Sequence, residues 1–253
     1  MTRFRDTELF ARIVAKSGRD LDVKGVHKYG FNAAIVAVEE TVWTPGGVQT
    51  WLTTAAAVRV KAGGDGADVD STGAGMRTLT VQGLNATGAE CTADIVLKGA
   101  TVSDPTTVEF LRVFRAFGLT SGTAAGANTG IIIIETTGGT VMANIAATKG
   151  QTQMASYTIP LGYTGYVTHL SVTANVVQTL SAKLYQRGSI LASAAPFGCR
   201  RVAWEATGID GAIEVDFPVP LEFPELTDMW VAATGPAGSA AVTADFDIWL
   251  VKS

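Results

Sequence analysis

The chain has 253 residues with a formal net charge of -4, and only 17% of them are charged, against about 25% in an ordinary soluble domain. That balance leaves no basic footprint for nucleic acid, and nowhere do about 18 apolar residues run together as a membrane-spanning helix requires. Twenty-eight glycines, much Thr and Ala and little Lys or Glu suit instead a β-rich protein whose surface is largely covered by neighbouring subunits.

The opening MTRFRDTELF lacks the apolar centre of a signal peptide, so synthesis and first folding are expected in the cytosol. Asp6 is placed to cap a short helix, with Leu9, Phe10, Ile13 and Val14 on one stripe and Lys16-Ser17-Gly18 at its end. So short a helix is not stable alone. Residues 1–28 therefore either pack on their own domain or form a docking arm, and Phe4 joins the stripe as a candidate contact.

From Tyr29 the pattern turns to strands. GFNAAIVAVEETVW and VQTWLTTAAAVRV flank Pro45-Gly46-Gly47 and read as a hairpin. A Gly- and Asp-rich loop follows, from Lys61 to Gly75. The stretch from Gly73 to Phe117 reads as a β-meander: Leu79 and Val81 alternate with Thr80 and Gln82, and Ala93, Ile95 and Leu97 share a face. Asn85 to Gly88 and Lys98-Gly99 supply its turns. In the third strand, FLRVFRAF, the two faces are less cleanly split. Ile131 to Ile134 reads as a buried strand.

Thr41 to Trp51 and Tyr157 to Val167 both run strand, Pro, Gly, aromatic strand, which suggests two sandwiches in tandem, residues 29–148 and 149–253. The fold expected is all-β, tandem antiparallel β-sandwiches of jelly-roll type behind a short N-terminal helix or arm. In the closing strand Val242, Ala244, Phe246, Ile248 and Leu250 face inward and Thr243, Asp245, Asp247 and Trp249 outward. An outward Trp249 between carboxylates is a candidate contact residue; the alternative is that the PVPLEFP segment covers it.

The chain offers little for chemistry. His27 and His169 are its two histidines, neither beside a nucleophile motif, and His169 is expected to be an ordinary strand residue. Cys91 and Cys199 stand singly, give no zinc spacing, and are expected to be free, half-buried thiols. Asp65, Asp68 and Asp70 share a loop without EF-hand spacing, so solvated carboxylates are the default. Glu39-Glu40, Glu214 with Asp216, and Glu222 with Glu225 are acid pairs that no neighbour marks out. No catalytic residue, metal or cofactor is expected, and the chain is not read as an enzyme.

The segments KYGFNAAIVAVEETVWTPGG, STGAGMRTLTVQGLNA, TADIVLKGAT, EFLRVFRAF, AGANTGIIII, YTIPLGYTGYV and PELTDMWVAAT stand in this order from Lys28 towards Val251. Together they resemble a family of structural proteins of marine and other environmental tailed phages. STGAGM stands where that family tends to carry a GTGAR run. The resemblance implies a virion component present in many copies. We expect a capsid decoration or cement protein, a homotrimer bridging subunits of the major capsid protein through Phe4, Leu9, Phe10, Ile13 and Val14, with Trp249 as a further contact. The alternative is a tail- or vertex-associated spike that binds host surface glycans through Trp43, Trp51, Trp204, Trp230 or Trp249.

Overall fold

Apolar residues recurring at every second position leave a strand one oily face, which must be buried against another sheet. The computed structural model describes residues 22–61, 65–175, 180–236 and 238–253. Among them are sixteen strands and no helix, so the protein is all-β. The helix expected around Asp6, with Phe4, Leu9, Phe10, Ile13 and Val14, lies outside the described residues.

The strands sort into two pairs of antiparallel sheets. In the first pair one sheet runs β1 (Val23–Ile35), β16 (Ala240–Lys252), β11 (Tyr163–Ala174), β14 (Ala212–Phe223). Its partner runs β10 (Ser156–Thr158), β15 (Asp228–Thr234), β12 (Leu180–Arg187), β13 (Arg201–Ile209), with β2 (Glu40–Thr41) also on β15. Between them lies a core that includes Ile35, Val42, Leu170, Leu184, Val231 and Phe246. The inward set expected for the closing strand is all there: Val242, Ala244, Phe246, Ile248 and Leu250 are each fully buried.

In the second pair β6 (Glu109–Phe110), β3 (Ala56–Val60), β8 (Ile132–Thr136) and β9 (Val141–Ile145) form one sheet. The other runs β5 (Glu90–Val96), β4 (Met76–Leu84), β7 (Arg112–Ser121). Val58, Ile134, Leu79, Val81 and Ile95 fill the space between.

Three expectations change here. β1 does not form a hairpin about Pro45-Gly46-Gly47; it pairs along its length with β16, from Val23↔Val251 to Ile35↔Ala240. The reason is length: the two strands have 13 residues each, whereas β3 has five. Strands therefore sort as 23–41 with 156–252, and 56–145 apart from them, rather than as 29–148 and 149–253. Second, the stretch from Gly73 to Phe117 is not a meander, because β4 is central and β7 returns to its far edge. The Asn85 turn is as expected: Asn85 Oδ1 accepts from the Thr87 and Ala89 amides, and Gly88 takes a φ of 79°. Third, the buried stretch begins one residue later than expected: Ile131, just before β8, is 54% exposed, while Ile132 and Ile134 are buried and Ile133 is half-buried.

Gly30 shows how closely the elements approach. A Cβ there would lie 2.2 Å from both Ala155 N and Val42 O, the donor and acceptor of one 3.0 Å hydrogen bond. Gly30→Ala is expected to break that bond and cost about 1–3 kcal/mol, read as a lower urea midpoint. An unchanged midpoint would mean that β1 can shift away.

Candidate functional site

Three places bring polar side chains together; the sequence pattern singled out several residues of the second, but not their assembly into one row. The first is a buried ion cluster. Arg112 on β7 and Asp228 on β15 are 3% and 0% exposed and meet in two bonds, Nε to Oδ1 at 2.7 Å and Nη2 to Oδ2 at 2.9 Å. Arg112 Nη1 donates to the Leu52 and Leu111 carbonyls. Asp228 also accepts from Arg187 Nη2 at 2.6 Å and from Thr158 Oγ1 at 2.8 Å. The Trp51 ring lies 5.2 Å from the Arg112 guanidinium and 5.5 Å from that of Arg187, and packs on Trp230. Leu84 and Leu111 meet Ile190 and Leu226 in the same region. Arg112 and Asp228 come from different sandwiches, so the cluster joins the two. Arg112 is also why FLRVFRAF has mixed faces: the strand breaks at Leu111, and an arginine then points inward at β7's start.

The second place is the open face of the β1, β16, β11, β14 sheet. Register sets His27, Asp247, His169 and Asp216 in one row across it. His27 Nδ1 lies 2.7 Å from Asp247, and His169 Nδ1 lies 2.9 Å from Asp216. Asp245 and Glu214 stand 3.8 and 4.0 Å from His169 Nε2. His169 is thus one of a row of alternating bases and acids, not a plain strand residue. Trp249 lies on this face as expected, half-buried between Gly25 and Tyr166 in the neighbouring strands. The PVPLEFP segment does not cover it, because that segment is itself part of β14 and pairs with β11.

The third place is a cleft of about 600 Å³ between β1 and the β5, β4, β7 sheet. Lys28, on β1, is 8% exposed. Its Nζ donates to the Phe114 carbonyl. Burial, with the Arg115 guanidinium nearby, pulls its pKa down to about 7. In β1 the residues Lys28, Gly30 and Asn32 are buried and His27 is exposed. An inward lysine in that alternation was the available signal. Cys91 lines the same cleft, and burial lifts its thiol to about 11, so it stays protonated at neutral pH.

Of the remaining candidates, Cys91 and Cys199 are free, with Cys91 half-buried and Cys199 exposed. Asp68 is not solvated: it is 2% exposed and its carboxylate accepts from the amides of Met76, Thr129 and Gly130. Donors surround it where a cation's other ligands would have to be. Asp65 accepts from the Ala67 amide in a local turn. Trp43 and Trp230 are buried, and Trp51, Trp204 and Trp249 are half-buried.

No protein-family model matches the chain, and no curated protein does. Among solved structures, that of the infectious bursal disease virus Gx strain overlaps 91% of this chain and 72% of its own, at 10% identity and a TM-score of 0.27. The VP2 subviral particle of the same virus overlaps the same shares at 11% identity and a TM-score of 0.21. These likenesses fall below the level at which a shared fold or role follows.

Proposed function

We propose that this chain is a non-catalytic structural subunit of a virus particle, and within it a capsid decoration or cement protein that bridges major capsid subunits as a homotrimer. The observation that carries this is the distribution of exposed apolar side chains at open sheet edges. β13 and β14 end their sheets, and Val202 on β13 and Val219 on β14 are 47% and 81% exposed. Phe197 and Leu191, in the segment leading to β13, are exposed as well. Unpaired strand edges with apolar side chains invite another chain to pair or pack there. The few charges on this protein do little to oppose such contact. Many weak contacts of this kind, repeated around a shell, hold by avidity. The phage-family resemblance of the sequence supports the same role.

The test is the copy number of this chain in purified particles, measured against the major capsid protein. Decoration predicts comparable numbers, and deletion of Met1 to Gly18 should then abolish capsid binding while far-UV circular dichroism stays β-type. A handful of copies per particle would overturn decoration in favour of a tail or vertex position. Binding by the truncated protein would remove the arm from the interface.

A further inference from the structure

Lys28 and Arg115 bring two cations to one cleft, while the cleft's carboxylate, Glu90, is held at 2.7 Å by Lys24 at its rim. Like charges brought together in a partly desolvated place favour an anion between them. The rest of the lining is of two kinds. Phe114 and Tyr157, whose rings lie 4.7 Å apart, supply apolar surface beside Val26. Gln82, Thr92, Gln151 and Tyr29 supply amides and hydroxyls. Gln151 links two of these groups, donating to Tyr29 Oη at 2.8 Å and accepting from Arg115 at 3.3 Å. The volume lies within the range of about 300–1,000 Å³ typical of small-molecule sites.

We propose that this cleft binds a sugar acid, a saccharide unit whose carboxylate sits between Lys28 and Arg115 and whose hydroxyls meet Gln82, Gln151, Thr92 and Tyr29. A neutral sugar would leave the two cations unanswered, and a bare inorganic anion would leave the amides and the apolar wall unused. Both sandwiches line the site, so a bound ligand would also tie them together.

Binding requires the ammonium form of Lys28, whose pKa in the free protein is about 7. Affinity is therefore full below that value and falls as pH rises through it, by about tenfold between pH 6 and pH 8. The other ionisable groups that line the cleft with Lys28 are His27 and Tyr29 on its own strand, Glu90 and Cys91 on β5, Arg115 on β7 and Tyr157 on β10. Histidine as a residue type also titrates near neutral pH, so His27→Gln serves as the control.

The experiment is calorimetric titration of the full chain with glucuronate, glucose and sulfate, at pH 6 and pH 8. Expected is glucuronate binding that weakens about tenfold at pH 8 and persists in H27Q, with glucose and sulfate at least tenfold weaker. Lys28→Met should lower glucuronate affinity at least tenfold, and Lys28→Arg should retain it without the pH dependence. Arg115→Ala, at an exposed position, tests the second cation without disturbing the core, and it too should weaken binding at least tenfold. Equal binding of glucose or sulfate, binding unchanged in both K28M and R115A, or no heat from glucuronate at millimolar concentration would each overturn the proposal.

Discussion

Asp228→Ala is expected to cost about 3–5 kcal/mol, because removing one member of a buried ion pair strands the other without its partner. The carboxylate it deletes answers Arg112, Arg187 and Thr158 together. Arg187 is 26% exposed and can turn to water. Arg112 cannot, since it is 3% exposed and its Nη1 is already committed to two backbone carbonyls. The double variant Arg112→Met with Asp228→Leu should lose less than Asp228→Ala alone, since neither charge then remains to be solvated. Urea unfolding measures both. The shape of the curve carries more information than its midpoint: Arg112 and Asp228 belong to different sandwiches, so weakening their link should split one transition into two. A loss under about 1 kcal/mol in Asp228→Ala would show that water already reaches the cluster, as it does at surface pairs.

Asp68→Ala is expected to be nearly as damaging and far more local. It leaves the amides of Met76, Thr129 and Gly130 without an acceptor, the first buried and the other two part-buried. A buried stranded donor costs about 1–3 kcal/mol and a part-buried one less, so the loss should be about 2–3 kcal/mol. Asp68→Asn keeps one acceptor oxygen and should lose less. Hydrogen exchange reports the site directly: those three amides should exchange faster in Asp68→Ala, while amides on β16 change only with global stability. Gly75 belongs to the same joint, because a Cβ there would stand 2.3 Å from Asp68 Oδ1. Added calcium should leave the stability of the parent protein unchanged, since backbone donors already fill the carboxylate's coordination. A calcium-dependent gain would show that Asp68 can turn outward.

Sheet pairing decided what local pattern left open. The strands around Leu79, Ile95 and Phe246 were legible because period-two alternation is a property of neighbouring residues, and so was the turn at Asn85, whose side chain bonds its own backbone. Which strand lies beside which is set by long-range matching of length and inward face, and it carried β1 away from the adjacent β3 to β16, more than 200 residues on. The row His27, Asp247, His169, Asp216 exists only through that register.

By itself the sequence determined the all-β class, the inward faces of the strands around Leu79, Ile95 and Phe246 and the scarcity of charge, all of which follow from residue type and local spacing. Tertiary structure alone decided which charges are buried. Arg112 and Asp228 are 116 residues apart, and Lys28 and Arg115 are brought to one cleft by two different sandwiches. The linear place of a lysine, arginine or aspartate does not say what will lie against it. Its environment is made by whatever the fold packs against it, and desolvation acts only once that packing is complete.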